Sequence, residues 1–318
     1  MKEEVIQIQD LRVEYFTPRG QIRAVNGVNL GLYAGEKFGL VGESGSGKTT
    51  MALAILRLIT PPGRVTGGRV LLDGKDLLSL SQDEMRQTRL AKIALIPQGA
   101  MDSLNPVMRV RDQFMMAMRD HGQGGTKQEL QARVIQLLDW VGLGPHVAGL
   151  YPHELSGGMK QRVCIAIAIS LSPKLILADE PSSALDVVVQ RQVMETLSSV
   201  QEKVGATILL VGHDMGLMAQ FVDRVGVMYG GRLVEIAPVK EIFREPLHPY
   251  TQLLISSLPG LDTRLRFKGI PGMPVSLLNP PTGCLFNPRC PKVMDRCRVD
   301  VPDLREVRPG RWVACHLF

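Results

Sequence analysis

One string in this chain has the residue types and spacing for phosphate chemistry, Gly42-Glu43-Ser44-Gly45-Ser46-Gly47-Lys48-Thr49. It fits the pattern G-x-x-x-x-G-K-[ST], in which backbone N–H groups at a helix N-terminus cradle phosphates. The lysine reaches the β and γ phosphates and the hydroxyl holds Mg²⁺. Chance yields such a string on the order of once in a hundred chains of this composition, before a flanking strand and helix are required. An ordinary glycine turn is therefore a weak alternative. A lone loop of this kind serves GTPases, kinases, helicases and transporters, so it points to a ligand class and leaves the function open.

The surrounding elements must position that loop. Val5 to Leu32 alternates in the manner of strands, and Tyr33-Ala34-Gly35-Glu36 turns the chain into Lys37-Phe38-Gly39-Leu40-Val41, which reads as a buried parallel strand. After the loop, Met51 to Ile59 has helical spacing and ends before Pro61-Pro62. Residues 105–172 read as mostly helical, and Leu175 to Ala178 and Thr207 to Val211 as buried strands around a helix from Val188 to Lys203. Alternation of this kind predicts an α/β fold with a mainly parallel sheet. Asp179-Glu180 directly follow an apolar strand, which places Glu180 at the strand's carboxyl end, where nucleotides bind in such sheets. Ser156-Gly157-Gly158 opens an apolar helix and forms a second anion site. Beyond about Leu233 proline becomes more frequent and four of five cysteines cluster, so a boundary near 235 divides residues 1–235 from 236–318.

Leu155-Ser156-Gly157-Gly158-Met159-Lys160-Gln161-Arg162 resembles the signature motif of the ABC ATPases, and Leu175-Ile176-Leu177-Ala178-Asp179-Glu180 resembles their Walker B strand. Gln98 after an apolar strand resembles the Q-loop, Ser183-Ala184-Leu185-Asp186 the D-loop, and His213 after the last core strand the switch histidine. The resemblance implies a P-loop ABC ATPase domain with an N-terminal antiparallel β-subdomain and a helical subdomain at about 105–172. It implies ATP and Mg²⁺ as cofactors. By the same resemblance Glu180 is the catalytic base, with His213, Lys48 and Gln98 beside it in the chemistry. The implied nucleotide set is Gly42, Ser44, Gly45, Gly47, Lys48, Thr49, Thr50, Gln98, Ser156, Gly157, Gly158, Asp179 and Asp186, with Thr49, Gln98 and Asp179 around Mg²⁺. Tyr15 lies where the family places an adenine-stacking aromatic, with Phe16 beside it as the competing choice and sheet packing as the alternative role. These types suit the reaction, because ATP hydrolysis asks a protein for positioning, charge stabilisation and a base that orients water. One phosphate loop and one signature per chain imply pairing with a second ATPase subunit.

Cys284, Cys290, Cys297 and Cys315 are separated by five, six and seventeen residues. Clustered cysteines in a cytoplasmic chain argue for metal. The close pairs usual for structural zinc are absent, and four thiolates also suit an iron–sulfur cluster, with unligated buried cysteines as a third option. Gly283-Cys284-Leu285-Phe286-Asn287-Pro288-Arg289-Cys290-Pro291, Asp295-Arg296-Cys297 and Ala314-Cys315-His316 resemble the C-terminal extension of ATPase subunits from peptide importers, as do Ser103-Leu104-Asn105-Pro106 and His248-Pro249-Tyr250-Thr251. That resemblance implies a [4Fe-4S] cluster on the four cysteines. Cationic residues near it, Arg289 and Arg296 among them, would offset the cluster's negative charge and raise its potential. Cys164 reads as a small core residue. Departures from the subfamily are Gln98-Gly99-Ala100 for its Gln-Asp-Pro, Gly212 for Thr, and Ser182 for Thr.

The chain has 318 residues and is 45% apolar, which excludes disorder, and its 5% aromatics with 32 Gly and 21 Pro disfavour a fibrous class. Apolar runs such as Val163 to Ile169 are far shorter than a membrane span, and the charged start Met1-Lys2-Glu3-Glu4 does not resemble a secretory signal, so a cytoplasmic location is expected. The net charge of +6 is mild; residues 261–318 hold ten Lys/Arg against five Asp/Glu, and no basic block is interleaved with aromatics, so nucleic acid is not expected as a partner. The resemblance, over residues 5–318, implies a peripheral ATPase on the cytoplasmic face of the inner membrane. Its implied partners are two transmembrane permease subunits, a second ABC ATPase that the subfamily favours as a paralogue, and an extracytoplasmic solute-binding protein. Peptides are the expected cargo, with nickel or oligosaccharides as alternatives. A soluble ABC ATPase of repair or cluster assembly is a more distant reading, because two-cassette chains and long coiled-coil or zinc insertions are not seen in the sequence.

Overall fold

β-Branched and aliphatic runs bounded by turn residues make the strands, and the computed structural model describes residues 3–99, 103–183, 185–258 and 269–318. Ala100 and Ala184, named above in the Q-loop and D-loop strings, lie outside the described residues. In chain order the first elements are β1 (Glu4–Thr17), β2 (Gly20–Tyr33), β3 (Lys37–Val41), α1 (Lys48–Ile55), β4 (Gly63–Leu72) and β5 (Lys75–Asp76). Then come α2 (Gln82–Thr88), β6 (Ile93–Ile96), α3 (Val110–Asp120), α4 (Lys127–Trp140), α5 (Gly157–Ala168), β7 (Leu175–Asp179), α6 (Val187–Val204) and β8 (Thr207–Val211). The last are α7 (Met215–Phe221), β9 (Arg224–Tyr229), β10 (Arg232–Pro238), α8 (Val239–Arg244), α9 (Pro249–Ser256), α10 (Asp295–Val299), β11 (Arg305–Arg308) and β12 (Arg311–Val313).

Two compact units divide these elements. One contains Met1–Val5, Tyr33–Glu36 and Ser79–Leu210. Its strands run in the order β8-β7-β6, and β6 pairs with β7 in parallel, Ile93 opposite Leu175 and Ile96 opposite Ala178. All five residues of β7 are buried, which is why they read as an unbroken apolar run ending in a carboxylate. Helices α2 and α4 start on capping boxes, Ser81 with Glu84 and Thr126 with Glu129, and α6 ends on Gly205 in the left-handed region.

The second unit contains Ile6–Leu32, Lys37–Leu78 and Val211–Phe318. It carries a four-stranded sheet in the order β2-β1-β4-β5, with β1 antiparallel to β4. It also carries strands in the order β11-β12-β10-β9-β3. There β3 and β9 are parallel, Phe38 opposite Arg224 and Val41 opposite Val227, while β10 pairs antiparallel with both β9 and β12. The helix expected over Met51–Ile59 is α1, and it begins at Lys48 and stops at Ile55. Arg57 takes φ +52°, its N–H donates to Ala54 O, and the Leu58 N–H donates to Leu53 O. That is a Schellman ending with arginine where glycine is usual, so the chain leaves the helix before the prolines are reached.

The C-terminal residues are anchored by buried polar groups. Glu235 on β10 is fully buried and accepts the N–H groups of Leu247 and His248, each at 2.9 Å. Arg311 on β12 lies 3.7 Å from the Glu235 carboxylate and also reaches Glu245 at 3.2 Å. His248 caps α9 by accepting the Tyr250 N–H on Nδ1 at 3.0 Å, and it is 1% exposed. Burial pushes its imidazole from 6.5 down to about 3, so the folded protein keeps it neutral while the unfolded chain takes up a proton. A depressed histidine pKa gives stability that is complete above about 6.5 and is lost as pH falls below it, by about 1.4 kcal/mol per pH unit at most. Burial raises Glu235, which acts with the opposite sign as pH rises above the ordinary carboxylate range, so the histidine must be isolated by difference. Urea unfolding at pH 7.5, 6.5 and 5.5 is expected to show a steeper acid loss for the wild type than for His248→Asn. Parallel curves would remove His248 from this role.

Candidate functional site

The phosphate loop follows β3 and is shaped by close backbone approach. Gly42 has φ +150° and Gly47 φ +101°; a Cβ on the first would run into the Met228 carbonyl, and one on the second into the Ala24 carbonyl. Only glycine fits at either position. Gly47 is the N-cap of α1, and Lys48, the first helical residue, is 6% exposed. Its ammonium donates to Gly42 O at 2.8 Å, Glu43 O at 3.0 Å and Ser46 Oγ at 3.4 Å. A buried ammonium needs such acceptors, and here the loop itself provides them. Ser44, Gly45 and Thr49 are exposed and Thr50 is half-buried. The exposed face of the loop is thus made of backbone and hydroxyl donors, the composition an anion requires.

In the same unit, the Gly212 N–H donates to Leu40 O at 3.1 Å, so exposed His213 sits one residue past a bond to the strand that feeds the loop. Asp214 caps α7 by accepting the Leu217 N–H at 2.9 Å. Tyr15 is half-buried, with its ring against Gly63, and Phe16 is 46% exposed beneath the Arg64 guanidinium.

In the other unit, Gln98 and Glu180, 82 residues apart, are brought together: Gln98 Nε2 donates to Glu180 Oε2 at 3.1 Å. Asp179, the last residue of β7, is buried. Glu180 turns out of the strand at φ +45°, an unusual conformation for a side-chain-bearing residue. The turn is held by Ser183, whose N–H and Oγ both bond Glu180 O at 3.0 Å. Ser156 is the N-cap of α5 and its Oγ accepts the Met159 N–H at 3.3 Å, leaving Gly157 and Gly158 in the first turn. Asp186 caps α6, accepting the Val188 and Val189 N–H groups at 3.1 and 3.0 Å, so its carboxylate has a structural task beside the nucleotide role expected of it.

Residues 25–183 match the family described as ABC transporter, and residues 234–297 match the oligopeptide/dipeptide transporter, C-terminal region. The dipeptide transport ATP-binding protein DppD of Caldanaerobacter subterraneus is 42% identical over 99% of this chain and 97% of its own. The chain belongs to the ABC ATPases. Within them it falls in the dipeptide and oligopeptide branch. The oligopeptide transport ATP-binding protein OppD of Salmonella typhimurium is likewise 42% identical, over 98% of this chain and 93% of its own. Among solved structures, the dimeric ABC transporter cassette MJ0796 superposes with a TM-score of 0.66 at 28% identity, covering 74% of this chain and 98% of that one. CbiO1 of Clostridium perfringens, part of the cbiONQ complex, gives 0.65 at 26% identity over 77% and 92%. An ABC ATPase uses ATP with Mg²⁺.

Among the described residues no cysteine of this ABC ATPase is in a disulfide, and the thiols of Cys284, Cys290 and Cys315 are held above their ordinary range mainly by burial, Cys284 at about 11. Among the described residues no group of three or more His, Cys, Asp or Glu is close enough to hold a metal ion. The cluster expectation therefore gains no support from metal-site geometry. The charge argument attached to it also changes, since Arg289 is paired with Glu43 and Arg296 with Asp300 at 3.1 Å. Cys164 is a buried thiol near 11 beside Ser103 Oγ, as a core residue would be. The reading of the sequence missed Glu43, the second residue of the phosphate loop, and its partners Tyr250 and Arg289. A glutamate at an unspecified position of a motif gives no local signal, and its partners lie 207 and 246 residues away.

Proposed function

We propose that this chain is the ATP-hydrolysing subunit of an importer of dipeptides or oligopeptides, working from the cytoplasmic face of the inner membrane. The observation that carries the reading is the pairing in one chain of an ABC ATPase region with the peptide-transporter C-terminal region, alongside near-full-length relatives named for dipeptide and oligopeptide transport. Among the described residues no helix is long and apolar enough to cross a membrane, so permease subunits of other chains would form the pathway. A solute-binding protein outside the membrane would choose the cargo. On this reading the residues divide as 1–235 for nucleotide chemistry, with a helical part at about 105–172, and 236–318 for the branch-specific region.

The proposed chemistry assigns Lys48 and the loop N–H groups to the phosphates, Thr49, Gln98 and Asp179 to Mg²⁺, and Glu180 to the attacking water, with His213 supporting the γ-phosphate and Tyr15 the adenine. The Gln98–Glu180 hydrogen bond supports the assignment of Glu180, because an amide donor on one carboxylate oxygen holds the group in a fixed orientation at the strand end. Ser156, Gly157 and Gly158 would meet the γ-phosphate held by a second ATPase subunit. Val187 and Val188, 81% and 67% exposed at the start of α6 beside Asp186, are apolar groups that such a subunit would cover.

On the resemblance of the C-terminal region, the four C-terminal cysteines would hold a multi-thiolate group. Like charge from Cys290, Cys297 and Cys315 contributes to raising Cys284, so the four share one neighbourhood, yet no three gather tightly enough for one metal. When bound there, a [4Fe-4S] cluster would supply a covalent tie and a one-electron centre.

Three outcomes test the reading. Glu180→Gln is expected to cut ATP turnover by roughly 10²-fold or more while ATP remains bound; normal turnover would remove Glu180 as base. Purification of the tagged chain from native membranes is expected to bring two permeases, a second ATPase and a binding protein, identified by mass spectrometry. Recovery in the soluble fraction with nucleic acid or assembly factors would end the transport reading and leave the ATPase one. Anaerobic reconstitution should load four irons and four sulfides per chain, and Cys284→Ser should abolish the cluster's visible absorbance; equal iron in both proteins would dismiss these ligands.

A further inference from the structure

Within the second unit, every polar group of Glu43 is taken. Its carbonyl accepts from Lys48 Nζ at 3.0 Å, and its N–H donates to Tyr250 Oη at 2.8 Å. Its carboxylate is gripped on both oxygens by Arg289, Nη1 to Oε2 at 2.7 Å and Nη2 to Oε1 at 2.9 Å. The guanidinium is itself fixed: Nε donates to Pro271 O at 2.8 Å, and the side chain is 4% exposed with its charge 5.9 Å from the rings of Tyr229 and Phe286. A fork-to-fork pair between a buried arginine and a partly buried carboxylate is among the stronger ionic contacts a protein makes, and removing one partner leaves the other uncompensated.

A carboxylate inside a loop that binds a polyanion is an electrostatic anomaly. ATP carries several negative charges, and an unpaired Glu43 would repel them at short range in a partly dehydrated loop. We propose that Arg289 is a positioning residue of the nucleotide site: it neutralises Glu43 and, with Tyr250, fixes the phosphate loop from the C-terminal part of the chain, so that this part sets ATP affinity. The planar fork matters, because a lysine keeps the charge and loses the second hydrogen bond and the ring contacts. This rests on residues 42–49 being the ATP loop.

The test is ATP titration calorimetry on the purified full-length chain, together with KM and kcat for hydrolysis. Arg289→Ala is expected to weaken ATP binding about 10-fold, which is about 1.4 kcal/mol, and to raise KM more than it lowers kcat. Arg289→Lys should fall between it and the wild type. Glu43→Gln, which removes the anion and keeps an acceptor for Arg289, should bind ATP at least as tightly as the wild type, and Glu43→Gln in the Arg289→Ala background should recover most of the lost affinity. A purely structural arginine would show no such recovery, and failure of the double variant to recover would overturn the proposal, as would wild-type affinity in Arg289→Ala. Should Arg289→Ala not fold, Arg289→Lys and Glu43→Gln decide alone, and weaker binding by Glu43→Gln counts against the proposal. Lys48→Ala is the control for the loop: if it binds ATP like the wild type, the loop assignment fails first and independently of Arg289.

Discussion

The side chain of Lys48 is almost wholly buried in its loop, and much of the architecture follows from keeping its ammonium there. A buried cation is tolerable only among acceptors, and the loop turns the carbonyls of Gly42 and Glu43 toward it. Turning them requires backbone that passes close to Met228 and Ala24, which only glycine at 42 and 47 permits. That path in turn requires β9 beside β3, so that the carbonyl of Met228 is where the loop must skirt it. The strand pairing, the glycines and the lysine are therefore one solution to one electrostatic problem.

The same constraint recurs farther along the chain. Glu235 on β10 is a buried anion, and it is made tolerable by two backbone N–H groups and by the approach of Arg311 from β12. Burial and partners pull in opposite directions on its acidity, and burial is the larger influence. Removing one partner of such an arrangement would strand a buried charge, which is strongly destabilising. The C-terminal strands and α9 are thus fastened in one register by groups that tolerate no slippage.

What could be read in the sequence is what short-range physics determines. Fully buried strands such as β7 and β8 stand out as apolar runs, and the glycine pattern at 42–47 announces a backbone that L side chains cannot follow. The pairing of Gln98 with Glu180 was legible only as a shared resemblance, since 82 residues separate them. The early end of α1 was not legible, because it depends on an arginine accepting a left-handed conformation in which glycine is the usual occupant. The role of Arg289 was hidden for a related reason. Its neighbours in sequence are cysteines, so its charge was assigned to them, whereas in the fold it belongs to a loop 246 residues upstream.

Glu180 shows why local strain and long-range position belong together. A parallel strand delivers its last side chains at the sheet's carboxyl edge, but the strand's alternation would send Asp179 and Glu180 to opposite faces. Rotating Glu180 to φ +45° breaks that alternation within one residue. The rotation is unfavourable for glutamate by itself, on the order of 1–3 kcal/mol. It persists because Ser183 bonds the Glu180 carbonyl through both N–H and hydroxyl while Gln98 holds the carboxylate. A serine at 183 and a glutamine at 98 are thus what allow a strand end to present two adjacent carboxylates in different environments, Asp179 buried and Glu180 half-exposed.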